Sequence, residues 1–95
     1  MTIKGLEFIE KIIDDEKEYI TYYFKGNEKI AKSFVNEKDV IGIHISLEFP
    51  INQVIPEKCY AEYSIIYEDY QEYDWVDFTP FYDEVRDLLE MVNKQ

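Results

Sequence analysis

The stretch Val40–Phe49 reads VIGIHISLEF, and its alternation decides the fold class. Ile41, Ile43, Ile45, Leu47 and Phe49 fall on one side of an extended chain, and Val40, Gly42, His44, Ser46 and Glu48 on the other. That two-residue period is the mark of a strand with one face in a core. Downstream, Pro50 and Pro56 bracket a loop, INQVI, that either crosses the sheet or rims a groove. The chain then resumes as CYAEYSIIYED, where Ala61, Tyr63, Ile65 and Tyr67 alternate with Glu62, Ser64, Ile66 and Glu68. Upstream, YITYYF is β-branched and aromatic and reads as a strand. KIAKSFV fits a helical face as well as a strand, and the Gly26-Asn27 pair before it favours a tight hairpin, so a strand is the expectation.

Both ends read as helices. From Thr2 to Glu18, Leu6, Ile9 and Ile13 make one stripe with Phe8 and Ile12 beside it, Thr2 is placed to cap, and Glu7 and Lys11 form an i,i+4 pair. At the other end, Asp77-Phe78-Thr79-Pro80 is a helix start with Thr79 as N-cap and Pro80 at the first helical position. Asp83 and Glu84 lie near the positive end of that helix dipole. The helix is expected to run to about Asn93, burying Phe81, Val85, Leu88, Leu89 and Val92 and exposing Asp83, Asp87 and Glu90. The expected fold is α+β: an antiparallel sheet of three to four strands, with an N-terminal and a C-terminal helix packed on one face. Residues 1–95 are expected to form a single domain.

Apolar residues make up 46% of the chain and aromatics 17%, too much for a disordered segment even with 33% charged residues. Twenty-one acids against ten bases leave a net charge of -11. Residues 1–58 hold 11 acids and 8 bases, net -3, whereas residues 59–95 hold 10 acids and 2 bases, net -8. Such a field repels nucleic acid and anionic membrane and steers basic partners inward. Cys59 is alone, no charged leader with an apolar core opens the chain, and no apolar run approaches the roughly 20 residues that span a bilayer, so a cytoplasmic protein is expected. Thirteen Ile against four Leu, and nine Lys against one Arg, are what AT-rich codons supply.

Catalytic chemistry finds few candidates. The only imidazole is His44, and a dyad with Cys59 would depend on an accident of folding. Glu68, Asp69, Glu72 and Asp74 are close in sequence but do not match a calcium loop, and no second His or Cys offers a zinc site. Gly5, Gly26 and Gly42 are too scattered to cradle a phosphate. Neither an enzyme nor a bound metal or cofactor is expected.

The most unusual segment is Ile65–Phe78, IIYEDYQEYDWVDF, with five carboxylates, five rings and no Lys or Arg. If it continues a strand, residues at i and i+2 stand about 6.6 to 6.8 Å apart on one face, an interval comparable to phosphates along a nucleic-acid strand. Tyr and Trp between the acids supply the rigid contact area that dominates binding hot spots. On the plainer reading, the acids serve solubility, and Trp75 and Phe78 close the core under the last helix. In composition, element order and the EDYQEYDWVD run, the chain resembles small acidic inhibitors of phages and mobile elements, the anti-CRISPR and nucleic-acid-mimicking proteins. Bacterial toxin immunity proteins are similar in composition. The resemblance implies a non-enzymatic inhibitor of a basic nucleic-acid-handling protein, without direct contact to nucleic acid or membrane. Glu68, Asp69, Glu72, Asp74 and Asp77 would then meet its Lys and Arg, Tyr67, Tyr70 and Tyr73 would anchor, and Asp83, Asp87 and Glu90 would extend the strip. The alternatives are an immunity protein against a basic nuclease, or a small regulatory module that self-associates, for instance as a homodimer through a sheet edge or its Tyr-rich face.

Overall fold

A computed structural model describes residues 2–51 and 60–93. The chain is α+β, with one five-stranded antiparallel sheet in the meander order β1 to β5 and two helices. The strands are β1 (Glu7–Asp14), β2 (Tyr19–Gly26), β3 (Gly42–Pro50), β4 (Tyr60–Ile66) and β5 (Gln71–Asp77). Helix α1 (Glu28–Phe34) lies between β2 and β3, and a 3₁₀ turn at Thr79–Phe81 leads into α2 (Tyr82–Asn93).

The alternating stretch behaves as its period demands. Ile43, Ile45, Leu47 and Phe49 of β3 are buried, and the register places Phe24 and Tyr63 on either side of Ile45, and Tyr22 and Ala61 on either side of Leu47. Ile30 and Ala31 of α1 and Val85, Leu89 and Val92 of α2 complete this core from the same face of the sheet. Each fully buried aliphatic or aromatic side chain contributes about 1.5–3 kcal/mol in transfer terms, so this layer is the main source of stability. The alternation starts two residues later than the sequence suggests. Val40 is buried and Ile41 is 57% exposed, because β3 begins at Gly42 and the chain before it approaches in another phase.

Two expectations are corrected. The segment from Thr2 to Glu18 is not a helix: it holds β1 and half of a hairpin, closed at residues 15–18 with Glu18 at φ 60° and the Asp14 carboxylate accepting the Lys17 N–H. The helical spacing was produced by a bulge. Between Phe8 and Glu10 the register with β2 slips by one residue, so Phe8, Lys11 and Ile13 share the helix-covered side although their sequence spacing is irregular. The sheet therefore has five strands rather than three or four, and its helical partner at the N-terminal side is α1 instead.

Residues 28–34 are a helix, not a strand, and Asn27 is its N-cap rather than part of a hairpin turn. Its carboxamide oxygen accepts the Ile30 N–H at 3.0 Å, and Glu28 pairs with Lys32 at 2.5 Å. Gly26 is required just before it. A Cβ there would lie 2.8 Å from Ile43 Cγ2 and 3.0 Å from Ile30 Cγ2, so only glycine lets α1 settle onto β3.

At the last helix, Thr79 opens the 3₁₀ turn that leads into α2. Its N–H and hydroxyl both donate to Asp77 Oδ1, at 2.8 and 2.5 Å, and Pro80 sits in the 3₁₀ turn that precedes α2. The loop INQVI beyond Ile51, together with Cys59, lies outside the described residues.

Candidate functional site

The acidic-aromatic run is divided by its own strand. Tyr67, Glu68, Asp69 and Tyr70 form the turn between β4 and β5, closed by the Tyr67 N–H donating to the Tyr70 carbonyl at 2.9 Å. Tyr67 is buried, its ring stacks on Tyr70 with centroids 4.5 Å apart, and its hydroxyl donates to the Glu37 carboxylate. Along β5 the period of two separates the rest. Glu72 and Asp74 lie across from Ile65 and Tyr63, on the helix-covered side, while Tyr73, Trp75 and Asp77 point to the opposite side. Asp83 and Asp87 of α2 share Arg86, at 3.4 and 4.0 Å, and Glu90 is exposed on the same helix. The residues proposed from sequence thus form three groups: a turn, an acidic rim beside the helices, and a contribution to the other face of the sheet. Phe78 is buried beneath α2, but Trp75 is 65% exposed and closes no core.

Among the described residues nothing covers that other face. Following the register across the strands gives three rows: Glu7–Lys25–His44–Ser64–Tyr73, then Glu10–Tyr23–Ser46–Glu62–Trp75, then Ile12–Thr21–Glu48, continued by Tyr60–Asp77. Ser64, next to His44, and Ser46 lie in the interior of the first two rows, with Tyr23 on one side and Tyr73 and Trp75 on the other. The result is a shallow trough with two lobes, of about 200 Å³ and about 310 Å³, which share Tyr23, Ser46 and Glu62. Tyr23 and Tyr73 flank the first lobe, and Tyr60 and Trp75 border the second.

Carboxylates outnumber cations on this face, where Lys25 stands in the first row beside His44 and Lys17 borders the second lobe. Glu7 is paired with Lys25 at 3.4 Å, whereas Glu10, Glu48 and Glu62 have no Lys, Arg or His nitrogen within 4.0 Å among the described residues. Tyr19, Tyr23, Tyr60, Glu10, Glu48 and Glu62 were not singled out from sequence. The signal was present in His44, Ser46 and Glu48, the polar side of β3, but which residues flank them depends on strand pairing, and β1 read as a helix hid one neighbour.

Three tyrosine hydroxyls of β4 and the β4–β5 turn have their pKa raised above the ordinary tyrosine range. The hydrogen bond to Glu37 and then burial raise Tyr67, burial and then Glu72 raise Tyr70, and burial and then Asp74 raise Tyr63. A raised folded-state value contributes stability that is complete below the unfolded tyrosine pKa of about 10 and is lost as pH climbs beyond it. Urea midpoints measured from pH 8 upward are therefore expected to fall above about pH 10, and Tyr67→Phe is expected to fall less steeply there than the parent. Parallel profiles would show that Tyr67 has no proton-linked role. Among the described residues no three of His, Cys, Asp and Glu converge as metal ligands. No helix among them is long and apolar enough to cross a membrane.

Comparison with protein-family models, curated proteins and solved structures finds no match to this chain.

Proposed function

We propose that this protein is a non-enzymatic acidic inhibitor that binds a basic, nucleic-acid-handling protein and occupies the surface where that partner holds nucleic acid. The observation that supports this reading is the trough face: rings on its flanks, carboxylates between them that have no cationic partner among the described residues, and a sheet beneath that holds both at fixed spacing. A net charge of -11 draws a cationic partner in, and the rings convert a salt-sensitive encounter into a complex with buried contact area. Tyr73 and Asp77 belong to this face. Glu68, Asp69, Glu72 and Asp74 form an acidic rim along the turn and the β5 edge, with Tyr70 beside them, and Asp83, Asp87 and Glu90 extend the negative field over α2. A toxin immunity protein would use the same surface against a basic nuclease.

Self-association is the second reading, and the exposed Ile9, Ile12 and Ile13 on edge strand β1 favour it. The β1 bulge and Lys11, which points to the helix side and donates to Asn93 Oδ1 at 3.2 Å, oppose it, since both blunt that edge against strand pairing. At the other edge, Glu72, Asp74 and Asp77 would face their own copies.

Competition tests the proposal. The immobilised protein is used to capture a basic partner from a lysate of a low-GC bacterium with its prophages expressed, and duplex DNA and RNA are then titrated in. Displacement by nucleic acid at constant ionic strength is the expected result. A complex that saturating nucleic acid leaves intact overturns the inhibitor reading, and recovery of the protein alone with concentration-dependent dimerisation by sedimentation supports the rival.

A further inference from the structure

We infer that the first lobe of the trough is a receptor for a single arginine side chain, with Glu62 as its counter-ion and Tyr23 and Tyr73 as its stacking walls; this deepens the proposed function by naming what the basic partner inserts. The floor is low because adjacent central strands place serines there. Ser46 faces Glu62 across the β3–β4 pair, Ser64 faces His44, and the Ser46 hydroxyl donates to the Glu62 carbonyl at 3.4 Å. Tyr23 rises from β2 beside Ser46, and Tyr73 rises from β5 beside Ser64. The lobe between them, about 200 Å³, is of side-chain size rather than of peptide or nucleotide size.

Chemistry selects the occupant. Glu62 is half-buried within this lobe and has no ion pair among the described residues, so a neutral apolar guest would remove water from a carboxylate and return nothing. An anion would be repelled by Glu62, the one carboxylate lining the lobe, and would find there a single imidazole, His44, and no Lys or Arg to offset that charge. A cation satisfies both features: its charge meets Glu62 and its face meets the rings. Between the two basic side chains, the planar guanidinium stacks on tyrosine, grips a carboxylate with two parallel hydrogen bonds, and gives up its hydration more readily than an ammonium. A shallow, open lobe gives an ammonium little in exchange for its water. The second lobe, with Trp75, Tyr60 and Glu48, continues from the first across Ser46 and Glu62 and would take the residue's chain neighbours.

The test uses the intact protein and three capped tripeptides, Gly-Arg-Gly, Gly-Lys-Gly and Gly-citrulline-Gly, followed by amide NMR shifts and Trp75 fluorescence. Citrulline keeps the shape of arginine and removes its charge. The expected result is a set of shifts centred on Ser46, Glu62, Ser64 and Tyr73, with arginine binding about tenfold more tightly than citrulline and measurably more tightly than lysine. Glu62→Gln is expected to bring arginine down to the citrulline level, with unchanged thermal unfolding showing that the fold is intact. Equal binding of arginine and citrulline, shifts centred on Glu72 and Asp74 instead, or a Glu62→Gln protein that still prefers arginine each overturns the inference. The tripeptides need no partner, so this outcome is independent of the competition experiment. A partner displaced by nucleic acid but indifferent to Glu62→Gln would sink the arginine receptor and leave the inhibitor reading standing.

Discussion

Phe24→Ala is expected to lower the free energy of unfolding by about 3–5 kcal/mol, the range for emptying a fully enclosed phenylalanine site. Phe24 has no exposed surface, and it stands in β2 with Phe8 across one strand boundary and Ile45 across the other. The Phe8 ring meets it edge-on, with centroids 5.8 Å apart and planes at 61°. The cost has two parts. Apolar surface is returned to water on unfolding to a smaller extent, and a cavity remains because β2 is fixed by hydrogen bonds on both sides and cannot collapse inward. A domain of this kind has only about 5–15 kcal/mol to lose, so the variant should give up a large share of its stability and unfold at a clearly lower urea concentration. Trp75→Ala is the matched control, since a ring 65% exposed on an edge strand should change stability by no more than about 0.5 kcal/mol. Urea denaturation of the three proteins decides it, and a Phe24→Ala midpoint equal to that of Trp75→Ala would place the core elsewhere.

The pattern behind this core was readable where one period ran unbroken. β3, β4 and α2 have clean alternation or a clean helical stripe, because each packs one face against a single partner layer. Ala61, Tyr63, Ile65 and Tyr67 fall on the side the sequence assigns them. β1 was illegible for a physical reason: one bulged residue shifts the strand phase, and the apolar pairs Phe8-Ile9 and Ile12-Ile13 then imitate the spacing of a helix. Isoleucine at three of those four positions was the counter-signal, as was the acidic cluster Asp14–Glu18, which is the hairpin turn. For α1, Gly26-Asn27 carries the chemistry of a hairpin turn, whereas the asparagine serves the helix that follows. The candidate site suffered most. A run of side chains contiguous in sequence is split by a strand onto two faces, and the trough is assembled from residues on five strands that only the register brings into rows.

That division sets the second large effect. Two amide variants remove similar charge from different sides: Glu10→Gln, Glu48→Gln and Glu62→Gln on the trough face, and Glu68→Gln, Asp69→Asn, Glu72→Gln and Asp74→Asn on the turn and rim. Both sets leave the core untouched, and exposed ion pairs contribute at most about 1 kcal/mol to stability, so both proteins should fold. On partner binding they are expected to part. Carboxylates between rings are desolvated when the face is covered, and truncating one member of such a pair costs about 2–5 kcal/mol, chiefly in a faster dissociation rate. Rim charges act before contact, through the field, so the four-residue set should slow association at low salt and lose its effect as ionic strength rises past about 0.15 M. Asp74 carries a further local role, since its carboxylate accepts the Trp75 N–H at 2.8 Å and steadies the outer edge of β5. The measurement is association and dissociation kinetics for both variants over a salt series against the captured partner. A larger, salt-independent loss from the trough set places the interface on the bare sheet face. The opposite ranking would move it to the β5 rim and α2, where Glu72, Asp74, Asp83, Asp87 and Glu90 would then make the close contacts.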